Sequence, residues 1–107
     1  MKNHKEEIFN ALIETGRFKR VSMQYPNDFS VIPCATIAET KKPIWADDMI
    51  YMWEKSYDIC IWAKSAEEAE ELTEVVIDAL DEIRLTVACV ADTPIANMFR
   101  KDLSFFG

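Results

Sequence analysis

Glycine and histidine are almost absent from this chain of 107 residues. It contains two glycines, one of them the terminal Gly107, and one histidine, His4. Two glycines cannot form the glycine-rich loops that cradle nucleotide phosphates. His4 lies near the N-terminus, where we expect it to face solvent, so no histidine is available elsewhere as a general base or as the partner of a nucleophile. No catalytic residue is therefore predicted.

Cysteine is also scarce. Cys34, Cys60 and Cys89 lie far apart and form no C-x-x-C pair. An odd number of cysteines does not suit a disulfide framework, and each lies in an apolar segment where a reduced thiol is expected to be buried. Three dispersed cysteines and one histidine do not make a zinc site, and Asp47-Asp48 is expected to face solvent. The sequence predicts no metal and no cofactor.

Long apolar runs are missing as well. The longest uninterrupted runs have five residues, whereas a membrane-spanning helix needs about 20. The N-terminus lacks the apolar core of a signal peptide. We therefore expect a soluble protein, made in the cytosol, that has no membrane partner.

Positive charge is lacking in one half of the chain. The net charge is −7, and residues 65–107 carry all of the excess. Between Ser65 and Ile83 there is no basic residue but there are eight carboxylates, namely Glu67, Glu68, Glu70, Glu71, Glu74, Asp78, Asp81 and Glu82. Such a surface repels phosphate, so sequence-specific nucleic-acid binding is not expected. The acids are either a solvated helix face or a functional one, which faces a basic partner or lines a channel that DNA must not adhere to. The candidates for a functional face are Glu67, Glu70, Glu71, Glu74 and Asp78.

The periodicity of the apolar residues predicts one α+β domain over residues 1–107. The predicted order is α-β-β-β-α-β-β, with both helices packed on one face of a mainly antiparallel sheet. The helices cover residues 4–15, ended by Gly16, and 65–83, begun by a capping box at Ser65 and Glu68. The predicted strands are 18–25, 31–39, 49–63, 86–91 and 96–106, with turns at 26–28 and 92–94 and a polar loop at 40–48.

Apolar residues occupy both faces of the long strand over residues 49–63. The odd-numbered positions are expected to face the core. The even-numbered face should be solvated, yet it also carries Ile50, Met52 and Trp62. We interpret these three residues, with Trp45 of the preceding loop, as candidates for contact with another subunit or partner. Trp45 has an alternative interpretation as a lid over the core.

One local pattern resembles a known family. A strand Tyr57-Asp58-Ile59-Cys60-Ile61-Trp62-Ala63-Lys64 is followed at once by Ser65-Ala66-Glu67-Glu68-Ala69, and a helix then ends near Leu80-Asp81-Glu82-Ile83. A final strand with Phe99-Arg100-Lys101 closes the chain. Over residues 5–106 this is similar to the small tail-terminator (tail-completion, head–tail joining) proteins of long-tailed phages and of prophages of Gram-positive bacteria. Many relatives have a Gly-aromatic pair where this chain has Arg84-Leu85.

The resemblance implies a structural protein without enzymatic activity. Such proteins form a ring of identical subunits, usually a hexamer, on the last ring of the tail tube, where they contact the tube protein and the head connector. The protein would be made in the host cytoplasm and end in the virion tail. A small cytosolic regulatory or ligand-binding α+β domain acting as a dimer is the alternative, and an enzyme using carboxylates or Cys60 is a further one.

Overall fold

A computed structural model describes residues 4–23, 32–95 and 98–107 of the chain. Its elements are α1 (His4–Glu14), β1 (Arg20–Ser22), β2 (Cys34–Ala46), β3 (Met49–Ala63), α2 (Ala66–Asp81), β4 (Thr86–Ile95) and β5 (Met98–Phe106). The predicted α+β class and the order of elements are confirmed. The turn predicted at residues 26–28 lies outside the described residues, as do the outer ends of the strands predicted to include Tyr25, Val31 and Ala96.

All five strands form one sheet in the order β1-β2-β3-β5-β4. β1 pairs with β2 in parallel, whereas every other pairing is antiparallel. The sheet is therefore mixed. A proline within a strand favours an edge position or a bulge, but β2 begins directly after Pro33 and lies between β1 and β3. Pro33 has no backbone N–H to donate, but it lies just outside the strand, so the ladder loses no hydrogen bond.

The ends of α2 follow from local chemistry. The Ser65 hydroxyl accepts a hydrogen bond from the Glu68 N–H at 3.1 Å. The Glu68 carboxylate accepts from the N–H of Lys64 at 3.1 Å, one residue before the partner usual in a capping box. At the other end Arg84 has φ +66°, and the Leu85 N–H donates to the Leu80 carbonyl at 2.9 Å. Arg84 thus takes the left-handed position that commonly holds glycine after a helix.

A single apolar core joins both helices to one face of the sheet. Ile8 and Leu12 of α1, and Leu72, Val76 and Leu80 of α2, pack with Tyr57, Ile59, Ile61 and Ala63 of β3 and with Leu103 and Phe105 of β5. The prediction that odd-numbered positions of β3 face the core is confirmed for residues 57–63. Gly16, with φ +68°, donates its N–H to the Ile13 carbonyl at 3.1 Å and ends α1 as predicted.

Two predicted irregular segments are strands. The expected loop at residues 40–48 is wrong, because β2 continues to Ala46 and pairs with β3. Only Asp47 and Asp48 turn the chain, and both have positive φ, +50° and +62°, as a two-residue type I′ hairpin turn requires. The turn expected at residues 92–94 is also wrong, because β4 continues to Ile95 and remains paired with β5.

Candidate protein interaction site

The hairpin of β2 and β3 extends well beyond the rest of the sheet. β5 pairs with β3 only from Ser56 to Ala63, so residues 41–55 project as a two-stranded ribbon, which we call the arm. The chain measures 49 × 27 × 22 Å and its radius of gyration is 14.8 Å. A compact domain of this length has a radius of gyration of about 13 Å. The arm gives the protein this elongated shape.

Exposed apolar side chains are concentrated on the arm. Seven of the twelve large hydrophobic side chains that are exposed in the described residues lie there, namely Ile44, Trp45, Met49, Ile50, Tyr51, Met52 and Trp53. Single exposed hydrophobic residues are normal on a protein surface, but a contiguous group marks an interaction site. The arm is therefore the candidate functional site of this chain.

Both faces of the arm are apolar. Ile44 lies opposite Met52 on the face turned away from the helices, and Pro43 lies opposite Trp53 on the helix side. A register shift between Ile44 and Trp45 leaves Tyr51 as the extra residue of a β-bulge, which increases the local twist. A two-stranded ribbon has no interior of its own and is at best marginally stable in water. Neither apolar face of the arm is covered by the residues that the structure describes.

Two lysines stand opposite each other at the base of the arm. Lys41 pairs with Lys55 across the strands, on the same face as Trp53. Like charges directly opposite each other destabilise a sheet. Glu39 lies 3.7 Å from the Lys41 ammonium and offsets one of the two charges. This face of the arm therefore combines an indole ring with excess positive charge.

The predicted interface residues separate into two groups. Trp45, Ile50 and Met52 all lie exposed on the arm, and Trp45 is 61% exposed. Trp62 is only 1% exposed, so it is an interior residue and not part of a surface on which a partner could dock. The lid interpretation of Trp45 is wrong, because this residue is largely exposed on the arm and lies outside the described core.

Sequence reasoning missed three residues of this site. Met49, Tyr51 and Trp53 were expected to face the core because of their odd-numbered positions, but they are 72%, 74% and 50% exposed. Alternation identified the face of Trp53 correctly, but the bulge at Tyr51 shifts the pattern, so Met49 pairs with Ala46 on the face turned away from the helices. β3 has left the helices at this point, and none of the three residues has a core to enter. The run of five apolar residues from 49 to 53 is more than a half-solvated strand requires, but residues 59–63 form an equal run that is mainly buried, so the run alone could not identify the site.

Trp62 is held by a polar cluster on the face of the sheet away from the helices. The guanidinium carbon of Arg100 lies 5.2 Å from the centroid of the indole ring, within cation–π range. Arg100 Nε donates to Asp102 Oδ1 at 2.8 Å, and the Thr93 hydroxyl donates to Asp102 as well. Burial acts to raise the pKa of Asp102, but the hydrogen bonds from Thr93 and Arg100 outweigh it and lower the pKa.

Two of the three cysteines are kept as thiols by their surroundings. Burial raises the pKa of Cys34, and burial followed by the hydrogen bond to Asp102 raises the pKa of Cys60. The thiolate is the nucleophilic form of cysteine, so both groups are unreactive thiols at neutral pH. Cys34 is buried, as expected, whereas Cys60 is half-buried and Cys89 is exposed.

The acidic residues of α2 are exposed, as the helical pattern suggests. Glu67, Glu70, Glu71, Glu74 and Asp78 all lie at the surface. Glu70 forms an ion pair with Lys101, and Glu71 forms one with Arg17. Two of the five charges are thus partly neutralised by cations from other elements, and the helix keeps an acidic face.

A cavity of about 460 Å³ lies beside the start of α2. Its walls are mainly apolar and include Ala66, Ala69, Ile95, Met98 and Phe99, with Glu70 and Asp92 also lining it. The side chain of Lys101, 9% exposed, contacts both carboxylates, with its ammonium 2.6 Å from Asp92. Hydrogen bonds to Asp92 and Glu70 raise the pKa of Lys101.

The cavity and the arm lie at opposite ends of the molecule. Phe99 pairs with Ala63, the last residue of β3, whereas the arm contains the first residues of β3. An arm therefore cannot reach the cavity of its own chain.

The remaining candidate sites hold no recognisable chemistry. Within residues 4–23, 32–95 and 98–107, no three His, Cys, Asp or Glu side chains lie together in a way that could hold a metal ion. The same residues include no helix that is long and apolar enough to span a membrane. His4, expected in solvent, is half-buried, and its ring centroid lies 5.7 Å from that of Tyr57.

No model of a protein family matches the chain, and a search of curated proteins finds no match either.

Proposed function

We propose that this chain is a structural assembly protein that associates with copies of itself through its arm. The observation that supports this proposal is the projecting ribbon with seven exposed large hydrophobic side chains. Interfaces between subunits favour aromatic residues and methionine, and the arm carries Trp45, Tyr51, Trp53 and two methionines. Burying this surface against another chain would remove its contact with water, which is the main driving force for protein association.

The more specific part of the proposal is a tail terminator. By its resemblance to that family, the chain would form a ring, usually a hexamer, that caps the phage or prophage tail tube and meets the head connector. Assembly would begin in the host cytoplasm and end in the virion tail. The acidic helix suits either role expected for it, as the border of a channel through which DNA passes or as the face that meets a basic partner.

Native mass spectrometry and negative-stain electron microscopy of the purified protein test this function. We expect closed rings of one stoichiometry. Trp45→Asp places a charge on the arm, so it should prevent association and leave the circular dichroism of the monomer unchanged. The matched control is Val90→Asp, at an exposed apolar position of β4 away from the arm, and it should still assemble.

A small ligand-binding domain acting as a dimer is the second candidate, favoured by the cavity. Its volume of about 460 Å³ lies within the range of small-molecule sites, about 300–1,000 Å³. Purified protein that shows only dimers, both alone and with tail-tube protein present, would favour this second function over the ring.

A further inference from the structure

We infer that the arm of one copy inserts into the cavity beside the start of α2 on a neighbouring copy. Trp53 would occupy the apolar cavity, and Lys41 and Lys55 would meet the acidic side of α2. The inference rests on the proposed self-association and adds the identity of the two surfaces that meet.

Charge complementarity selects this pair of surfaces. Lys41 and Lys55 repel each other across the arm. On the acceptor, Glu67, Glu70 and Glu74 lie at i−3, i and i+4 along one side of α2, a spacing at which like charges also repel. Lys101 offsets only part of that charge, because it is shared between Glu70 and Asp92. Docking would relieve both repulsions together.

The apolar parts match in the same arrangement. On the arm, Trp53 lies two residues from Lys55 on the same face, a separation of about 7 Å along a strand. On the acceptor, Glu70 lines the cavity itself, and Glu67 and Glu74 lie about one helical turn away, or roughly 5 Å. An indole ring in the cavity would therefore place the neighbouring ammonium groups over the carboxylates.

Contact between two arms would be less favourable. If the helix-side faces of two arms met, four lysines would be brought together, and like charges across an interface oppose association. Contact between the arm and the cavity joins two different surfaces at opposite ends of the molecule. Repeated from copy to copy, such a head-to-tail contact generates a ring when the rotation closes.

Complementary charge reversal tests the inference in solution. Lys41→Glu/Lys55→Glu makes the arm acidic, and Glu67→Lys/Glu74→Lys makes the acceptor basic. By sedimentation velocity, each variant alone should associate roughly tenfold more weakly than the wild type or worse, because favourable pairs become repulsive. An equimolar mixture of the two should recover association, because each arm then faces an acceptor of opposite charge.

Matched controls separate this effect from net charge. Lys19→Glu/Lys42→Glu changes the net charge as much as the arm variant, but Lys42 lies on the other face of the arm. Asp81→Lys/Glu82→Lys changes the net charge as much as the acceptor variant, but at the far end of α2. Both controls should associate like the wild type. Association of all four variants at the wild-type level, or no recovery in the mixture, would overturn the inference.

Cross-linking locates the contact directly. With a photoreactive benzoylphenylalanine in place of Trp53, we expect cross-links to residues 66–70 or 92–101 of another copy. Cross-links confined to a second arm would refute the inference, although the proposed assembly function would stand. Dimers with arms exchanged reciprocally would support the contact but contradict the ring. A wild-type protein that is monomeric at every concentration would overturn both.

Discussion

The two halves of β3 have similar apolar content and opposite environments. From Tyr57 to Ala63 the strand lies between β2 and β5, and the helices cover its odd-numbered side chains. From Met49 to Lys55 it pairs only with β2, and every side chain is exposed. Apolar content does not distinguish the halves, since one contains Met49-Ile50-Tyr51-Met52-Trp53 and the other Ile59-Cys60-Ile61-Trp62-Ala63. The difference lies in which elements pack beside each half.

The difference between the two halves supports the proposed assembly. The inner half stabilises the monomer, because burial removes its side chains from water. The outer half has a similar number of apolar side chains, but they remain in water and do not stabilise the monomer. An exposed apolar strand pair is also an aggregation hazard unless a partner covers it. The arm therefore fits a protein whose folding is completed by association.

Replacing one tryptophan in each region, in separate variants, should show the largest difference in stability between the two regions. Trp62→Ala should lower the free energy of unfolding by about 3–5 kcal/mol, because it empties a buried site and removes the ring that Arg100 covers. Trp45→Ala should change it by no more than about 0.5 kcal/mol, since its ring is largely in water. Urea unfolding at a concentration where the protein is monomeric measures both. Equal losses would mean that the arm packs in solution against the rest of the domain, which we call the body.

Loss of one side-chain hydroxyl should also distinguish body from arm. Ser65→Ala removes the oxygen that accepts the Glu68 N–H and should cost about 1 kcal/mol of stability. Thr40→Ala removes an exposed hydrogen bond to Asp58, 3.1 Å long, at the base of the arm, so its effect should be smaller. Thermal unfolding measured for both variants checks the order. A larger loss from Thr40→Ala would contradict it.

The turn of the arm offers a stabilising change. Asp48 has φ +62°, a conformation that costs a residue with a side chain roughly 1 kcal/mol relative to glycine. Asp48→Gly should therefore slow hydrogen exchange of the arm amides and leave the exchange of β5 amides unchanged. In the wild type, the arm amides should exchange faster than those of the body. An unchanged arm in Asp48→Gly would indicate that the turn is not its weakest point.

A smaller effect should appear in acid, at Asp102. The lowered pKa of Asp102 means that its ionised form favours the folded state, so its contribution is present above the ordinary aspartate pKa of about 4. That contribution is lost as the pH falls through the folded-state pKa. Asp102→Asn should reduce the loss of stability between neutral pH and acid, as measured by urea unfolding at several pH values.

Much of the fold could be predicted because local chemistry specifies it. The Ser65 cap, the buried stripe of α2 and Gly16 at the end of α1 depend on residues within a turn or two of each other. The misassigned segments depend on strand partners distant in the sequence. The charged residues Lys41 and Lys42 and the nearby Pro43 suggest a loop, yet pairing with residues 53–55 makes this segment a strand. Asp92-Thr93-Pro94 suggests a turn, yet pairing with β5 keeps it extended.

The candidate site was only partly predictable for the same reason. Apolar residues on both faces of β3 indicated extra contacts, and Trp45, Ile50 and Met52 proved to be exposed. Sequence could not distinguish Ile50 from Trp62, which have the same parity on the same strand. The β4–β5 hairpin brings Arg100, Ile95 and Met98 to Trp62, and no element among the described residues covers Ile50 in this way.

Composition and short-range periodicity were enough to predict the α+β class and the acidic face of α2 and to exclude glycine-rich phosphate-binding loops, because both are properties of the chain alone. Contacts between distant residues set the point where β5 stops pairing with β3. That single boundary, at Ser56, converts one continuous apolar strand into a buried half and an exposed arm. The tertiary contacts also place the cavity at the end of the molecule opposite the arm. Both consequences depend on contacts between residues far apart in sequence, and the hydrophobic pattern of the strand is the same on either side of the boundary.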